Sequence, residues 1–597
     1  MAFRNSLLAV VFLTMSSCSA WAAEQGHSLD FVYVSPNTGH AAGGHYGLKL
    51  GNYLYHYQFF ANGEFLLVRE SWPKFTLIYA ELSNRPIHIA AVPVAPETFD
   101  RVAQQFAQTL IRQNLDLQQR EELAAARQFI ENLKRGQENF ALPGAGMLSM
   151  SVPSSANGLA NSLQQRLISD LGDGILNKAI ENIDERIARH EHQPLTAQWS
   201  LELQNLLQKR SALVAIDLQF GLNPKAVVAP LPGESPLGEE TLAALGRYRQ
   251  TVYHSIVRLI SSDRAGDGAA LLLQLARYQV LTLSLEEEKL HSLDPFPDDA
   301  LRITLSKQIL GSNALHNLYR AQSLDQQNLL GQLQTTPHPE LVMNRMEEVR
   351  GRMSELDKVF DGAKQIRYER GKMVPEMAGM IMYRPQRMLP AKALDQAEKN
   401  ISSELERVER RILASHNYNL LNRNCVTEMN LQLNSAFGSR KEGELQLGGW
   451  ISPGEQFSFS PFMFHRLVAK KYSVDDRQEI PSRRLRQLEE QQLDSLVDWL
   501  RESNAVTSSL YSRRERDTAF LMFTDSNWAL RPLFGLINAG YGAVYTLTGV
   551  ATLPFDKGER LEQGALGVFY SLPELVYINI RKGTYLAPDY SFLEESP

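Results

Sequence analysis

The stretch GGHYGLKLGNYLYHY, Gly43 to Tyr57, decides how the first domain is read. Tyr46, Leu48 and Leu50 alternate with smaller or polar residues, the period-2 pattern of a half-buried strand. Gly51-Asn52 then interrupts the pattern with residues that suit a two-residue hairpin turn. Such a turn pairs Leu50 with Tyr53, runs the strands antiparallel and sets Gly47 opposite His56. Residues 45 and 47 share a face, so His45 becomes a diagonal neighbour of His56, at roughly 7–8 Å. Two imidazoles within reach of one another suggest a base and its orienting partner.

Outward from the hairpin, residues 28–95 read as β-rich. LDFVYVS, EFLLVRESW, FTLIYAEL and IHIAAVPV carry branched and aromatic residues at strand-like density. From about 96 to 414 the period changes. Phe99, Val102, Ala103, Phe106 and Leu110 fall on one helical face, and long Leu/Gln/Glu/Arg/Ala stretches follow, so 96–414 reads as a helical insertion. MAGMIMYRP, Met377 to Pro385, reads as a strand or buried segment returning to the first domain. Residues 415–475 are mixed, and IPSRRLRQLEEQQLDSLVDWLRE opens a helical C-terminal region, 476–597. There Pro532 to Phe555 holds no charged residue. That length suffices to span a bilayer, but its glycines and threonines equally suit a buried hairpin or a membrane-surface contact within 528–583.

The chain has 597 residues, a formal charge of -6 and only two cysteines. This balance gives no electrostatic reason to expect nucleic acid. Residues 1–22 read as a cleaved export signal: a basic start, the apolar run Leu7–Met15 and the small residues Ala20 and Ala22. Lipidation at Cys18 is the alternative. Both place the protein in the periplasm or cell envelope, and both leave Cys425 without an intramolecular partner, notable in an oxidising compartment.

NRNCVTEMNLQL sets Cys425 at the start of a helix, with Asn422 or Asn424 as its cap. Exposed N–H groups and the helix dipole there favour an anion, so the position favours a thiolate. A thiol nucleophile needs a base, and the base an orienting group; His45 and His56 fit these roles. His40 is the alternative base, on a loop where Gly39, Gly43 and Gly44 permit close backbone approach to a ligand. His45 is preferred because it begins a strand directly. A zinc site of His40, His45 and His56 lacks the usual helical motif. The glycine loop lacks a G-K-[ST] ending, and there is no G-x-S-x-G. No metal and no cofactor are expected.

HYGLKLGNYLYH followed far downstream by RNC resembles the histidine hairpin and cysteine helix of circularly permuted papain-like enzymes, the lecithin:retinol acyltransferase and NlpC-type group. More narrowly, GGH followed by N-x-N-C-V-T resembles the periplasmic domain of the Lnb-type lipoprotein N-acyltransferases. The resemblance implies an α+β permuted papain-like core split by the helical insertion. It implies Cys425 as nucleophile, His45 as base, His56 as orienting residue and an acyl-thioester intermediate. Asn424, Val426, Gly44 and His40 would line the substrate or oxyanion site. The implied substrates are lipid or lipoprotein acyl groups. A peptidoglycan amidase or peptidase of the same fold and a non-catalytic envelope scaffold are the competing readings.

Overall fold

A computed structural model describes residues 27–36, 44–60, 62–149, 154–264, 266–297, 300–305, 310, 313–369, 373–491, 495–514 and 517–583. Residues 1–22, expected to be an export signal, together with Cys18 and His40, lie outside the described residues. The chain is a mixed α+β protein and divides into two units, residues 1–113 with 416–597, and residues 114–415.

The first unit is built on a six-stranded antiparallel sheet. Its strands are β1 (His27–Val34), β2 (His45–Leu50), β3 (Tyr53–Phe59), β4 (Phe65–Ser71), β5 (Ile87–Val94) and an edge strand, Asp476–Ile480. Their order is Asp476–Ile480, β5, β1, β2, β3, β4. The hairpin register is the one the turn dictates: Leu50 faces Tyr53 and Gly47 faces His56. Gly51 adopts φ +59°, the left-handed value that the first position of a tight two-residue hairpin turn requires.

Alternation divides the sheet into two faces. Tyr46 and Leu48, with Phe31, Tyr55 and Leu67, face the helices Cys425–Ser435 and Pro461–Lys471 and form one core. Val426, Met429 and Leu433 of the first helix and Phe464, Leu467 and Val468 of the second fill that core. The opposite face carries His45, Gly47, His56 and Glu70. It is covered by a helical segment that begins at Trp72–Thr76 and continues as a π-helical turn, Leu77–Leu82.

Four sequence expectations change here. FTLIYAEL is helical: Pro73 in the first turn suits a helix start, where its missing N–H is not needed. The region after 475 is not wholly helical, because Asp476–Ile480 pairs with β5. The amphipathic stretch after Pro481 forms two short helices, Arg483–Glu490 and Leu496–Glu502. Gly379–Met382 pairs with Asn139–Leu142 inside the second unit and does not return to the first.

The second unit is mainly long helices, among them Ala197–Asp217, Glu239–Ser261, Asp267–Glu286 and Pro339–Phe360. Its core contains the buried pair Arg277–Glu347, at 2.6 Å. The insertion is not all-helical, since short antiparallel strand pairs occur within it.

Helix Pro96–Lys134 contributes to both units. Its first half belongs with the sheet: Val102 and Phe106 are fully buried. Gln113 accepts from Leu67 N–H at 2.8 Å and donates to Leu67 C=O at 2.9 Å, closing part of the β4 edge. Phe106→Ala should therefore cost about 3–5 kcal/mol, read as a lower denaturant midpoint. Ile111→Ala, on the exposed side of the same helix, should change stability by less than about 0.5 kcal/mol. Equal losses would show that this half-helix is not part of the sheet core.

Candidate active site

The site begins with helix Cys425–Ser435, whose start is fixed by a full cap. Asn424 Oδ1 accepts from the N–H groups of Val426 and Thr427, at 2.9 and 3.0 Å. The Thr427 hydroxyl accepts from Asn424 N–H at 2.8 Å, completing a capping box. Asn424 Nδ2 donates to the carbonyls of Leu420 and Phe459. The side chain of Asn424 thus spends all its hydrogen bonds inside the protein and acts as a cap, not as a substrate contact. Val426 is buried and its N–H is committed to that cap, so it is not a free oxyanion donor. Gly44 has φ +86°, and a Cβ there would lie 2.8 Å from both Tyr33 Cε2 and Val34 O. Close packing alone requires glycine at this position.

Cys425 is a free, partly exposed cysteine packed against the sheet core. The backbone N–H groups of Tyr46, Val426 and Cys425 lie against its sulfur. Burial pushes the thiol up to about 11, and neither those N–H groups nor the Arg85 guanidinium offsets it. Burial therefore runs against the resting thiolate that a helix start favours.

Next to Tyr46 begins a chain of buried polar groups. His45 Nε2 and His56 Nδ1 are 2.8 Å apart. His56 Nε2 lies 3.3 Å from Glu70 Oε2, and Glu70 Oε1 lies 3.2 Å from Lys74 Nζ. His56, Glu70 and Lys74 are all buried. Tyr79 stacks on the His45 ring at 5.3 Å, and Phe75 meets the His56 ring edge-on at 5.4 Å. Burial disfavours the Glu70 carboxylate, but Lys74 and His56 more than compensate and hold the carboxyl well below its ordinary range. Burial, reinforced by His56 and Arg85, holds His45 well below the ordinary imidazole range, so it is neutral at neutral pH.

His56 Nε2 lies 3.3 Å from Glu70 Oε2 without good hydrogen-bond geometry. An ionised carboxylate accepts only, so the tautomer that suits this contact carries the His56 proton on Nε2. His56 Nδ1 is then the acceptor and His45 Nε2 the donor. The lone pair of His45 is left on Nδ1, the form a general base needs. Cys425 meets the sheet through the face that bears Tyr46, and His45 projects from the other face at the start of β2. No hydrogen bond joins His45 to the Cys425 sulfur among the described residues.

Sequence reasoning singled out Cys425, His45 and His56 but missed Glu70 and Lys74, which adjoin His56. Their i, i+4 spacing across a strand-to-helix junction carried no signal while Trp72 to Leu82 read as strand. It also missed a second chain. Ser35 Oγ lies 3.0 Å from His88 Nε2, and His88 Nδ1 lies 3.4 Å from Glu479 Oε2. This chain lines a cavity of about 500 Å³ with Tyr33, Phe462, His465 and Trp528. Cys425 and His45 do not line that cavity, but Arg85 links the two places. It donates to Ser35 C=O at 2.8 Å and lies over the Tyr79 ring that stacks on His45. Among the described residues no group of three His, Cys, Asp or Glu side chains is placed to hold a metal ion.

No family model, curated protein or solved structure matches this chain.

Alkylation of Cys425, followed by peptide mapping, tests its environment. A thiol near 11 carries on the order of 10²-fold less thiolate at pH 7 than a free cysteine near 8.5. Labelling should be slower than that of free cysteine at pH 7 and keep rising beyond pH 9. A plateau below pH 8 would show that the helix start, not burial, dominates.

Proposed function

We propose that the protein is an exported cysteine-dependent acyltransferase or hydrolase acting on lipid or lipoprotein acyl groups, with a permuted papain-like core. The observation that carries this reading is the capped Cys425 helix set against Tyr46, beside the His45–His56–Glu70–Lys74 chain.

In this reading Cys425 Sγ attacks the acyl carbonyl as its proton passes to His45 Nδ1. A resting thiolate–imidazolium pair is unnecessary, because both groups rest neutral and the charge appears only as the oxyanion forms. The backbone N–H groups of Tyr46 and Cys425, which lie against the sulfur, are the candidates to stabilise that oxyanion. His45 returns the proton to the leaving alkoxide, and the acyl group remains as a thioester. An amine or water then attacks the thioester, His45 takes its proton, and Sγ leaves as thiolate and is reprotonated. A peptidoglycan amide would follow the same steps, but the apolar C-terminal helices favour lipid acyl groups.

Intact mass after exposure to envelope phospholipids tests the reaction. A fatty-acyl adduct should form on the wild type and be absent from Cys425→Ser; no adduct on either protein, with no turnover of acyl esters, would remove the enzyme reading.

Glu70→Gln tests the tautomer chain. Lys74 would hold the amide oxygen and turn the NH2 group towards His56 Nε2. His56 would then protonate on Nδ1, and His45 would lose the free lone pair on its Nδ1. The expected loss is about 10²–10⁴-fold in acyl transfer, with circular dichroism unchanged. Full activity in this variant would show that the chain is structural.

A further inference from the structure

Helix Arg531–Asp556 packs on helix Glu559–Ser571 through glycine. Gly535, Gly542 and Gly549 recur every seven residues, so they share one face. A Cβ on Gly542 would come within 2.8 Å of Val568 N, and one on Gly549 within 2.3 Å of Leu561 N. A Cβ on Gly564 of the second helix would lie 2.4 Å from Thr546 N. The hairpin is also tied to the body. Buried Asn538 accepts from the N–H groups of Leu521 and Met522 and donates to Met522 C=O. Buried Lys582 pairs with Glu574 at 2.6 Å.

The other side of the hairpin has no partner in this chain among the described residues. Leu533, Leu536, Val544, Leu547 and Val550 are exposed, Leu547 by 71%. Phe569 and Leu572 of the second helix extend the same apolar character. An 18-residue window of the first helix has a mean hydropathy of 1.2 and is only 28% buried. A contiguous surface of this kind marks an interaction site.

Three observations select a bilayer over a protein partner. The exposed side chains of the first helix lie within Pro532 to Phe555, a stretch of 24 residues without one charged residue, which suits a hydrocarbon boundary better than the polar rim of a protein interface. At the foot, exposed Trp528 stacks on Tyr577 at 4.9 Å beside Arg531, the aromatic and basic residues that settle at a lipid–water boundary. Finally, Trp528, Arg531 and Tyr577 also line the 500 Å³ cavity, so the apolar surface and the cavity share a rim. Surface docking is favoured over spanning. Asn538 anchors the hairpin to the body, and Asp556, Lys557, Glu559 and Arg560 occupy its turn, which spanning would drag through hydrocarbon.

We propose that the Arg531–Ser571 hairpin seats the protein on the surface of a phospholipid bilayer, with the cavity behind Trp528 opening to that surface. As the route by which an acyl substrate arrives, the cavity rests on the thioester reading; the docking itself does not.

The test is co-sedimentation of the full chain with vesicles of phosphatidylethanolamine and phosphatidylglycerol. Wild type and Cys425→Ser should sediment equally. The combined variant Leu536→Glu, Leu547→Glu and Val550→Glu should lose at least 10-fold in partitioning with its thermal unfolding unchanged. If that variant proves unstable, Trp528→Phe with brominated phospholipid supplies the second measurement: bilayer docking predicts quenching in wild type that the substitution removes. Wild type that does not sediment, glutamate variants that sediment normally, or quenching unchanged by Trp528→Phe would overturn the proposal. So would light scattering showing that the glutamates instead split a dimer. Normal sedimentation without an acyl adduct would leave docking standing and remove the reaction reading alone.

Discussion

The hydrogen bond between His45 Nε2 and His56 Nδ1 exists only because of backbone register. The two histidines are not directly opposite; Gly47 faces His56, and the rings meet diagonally across the two strands. A Cβ at Gly47 would lie 3.0 Å from Tyr55 O and 3.1 Å from Leu54 Cγ. The turn at Gly51 sets that register, and slippage by one residue would carry His45 to the Tyr46 face. The rest of the polar chain depends on it: Glu70 orients His56, Lys74 holds Glu70, and His45 inherits its tautomer from both.

Such a chain is costly to bury. Removing water from Glu70 and Lys74 is unfavourable, and a buried ion pair roughly breaks even against an apolar pair of the same size. Its effect here is on proton position rather than net stability. The comparison with Ser35, His88 and Glu479 is instructive. That chain has similar distances, but Glu479 lies on an edge strand and its side chain is 54% exposed. Water competes there for the carboxylate, so the hold on His88 is weaker than that of buried Glu70 on His56.

The legible part of the sequence was the part governed by local period. Alternation in HYGLKL and YLYHYQ, with one glycine turn, gave the strands, register and shared face of His45 and His56. The Asn424 cap and the helix start at Cys425 were legible for the same reason. Asp476–Ile480 was not: DRQEI has no apolar alternation and pairs only as an edge strand. FTLIYAEL has the composition of a strand, but its apolar residues cover both His45 and the sheet, and Pro73 starts a helix just before it. The burial of the thiol was not legible, because a helix start is visible in sequence and the density of protein around a sulfur is not.

That last point bears on how the site would work. Burial raises Cys425 and lowers His45, so it widens the free-energy gap for moving the proton from sulfur to nitrogen. Arg85 lowers both groups, so its effect on the sulfur is opposed by its effect on the imidazole. In the proposed reaction the proton transfer becomes favourable only when a carbonyl is present to accept negative charge on oxygen. The Tyr46 and Cys425 N–H groups, fixed by a strand and a capped helix, then face an oxyanion rather than a solvated thiolate. A neutral thiol is also less reactive towards oxidants and stray electrophiles than a thiolate, which bears on Cys425 at rest.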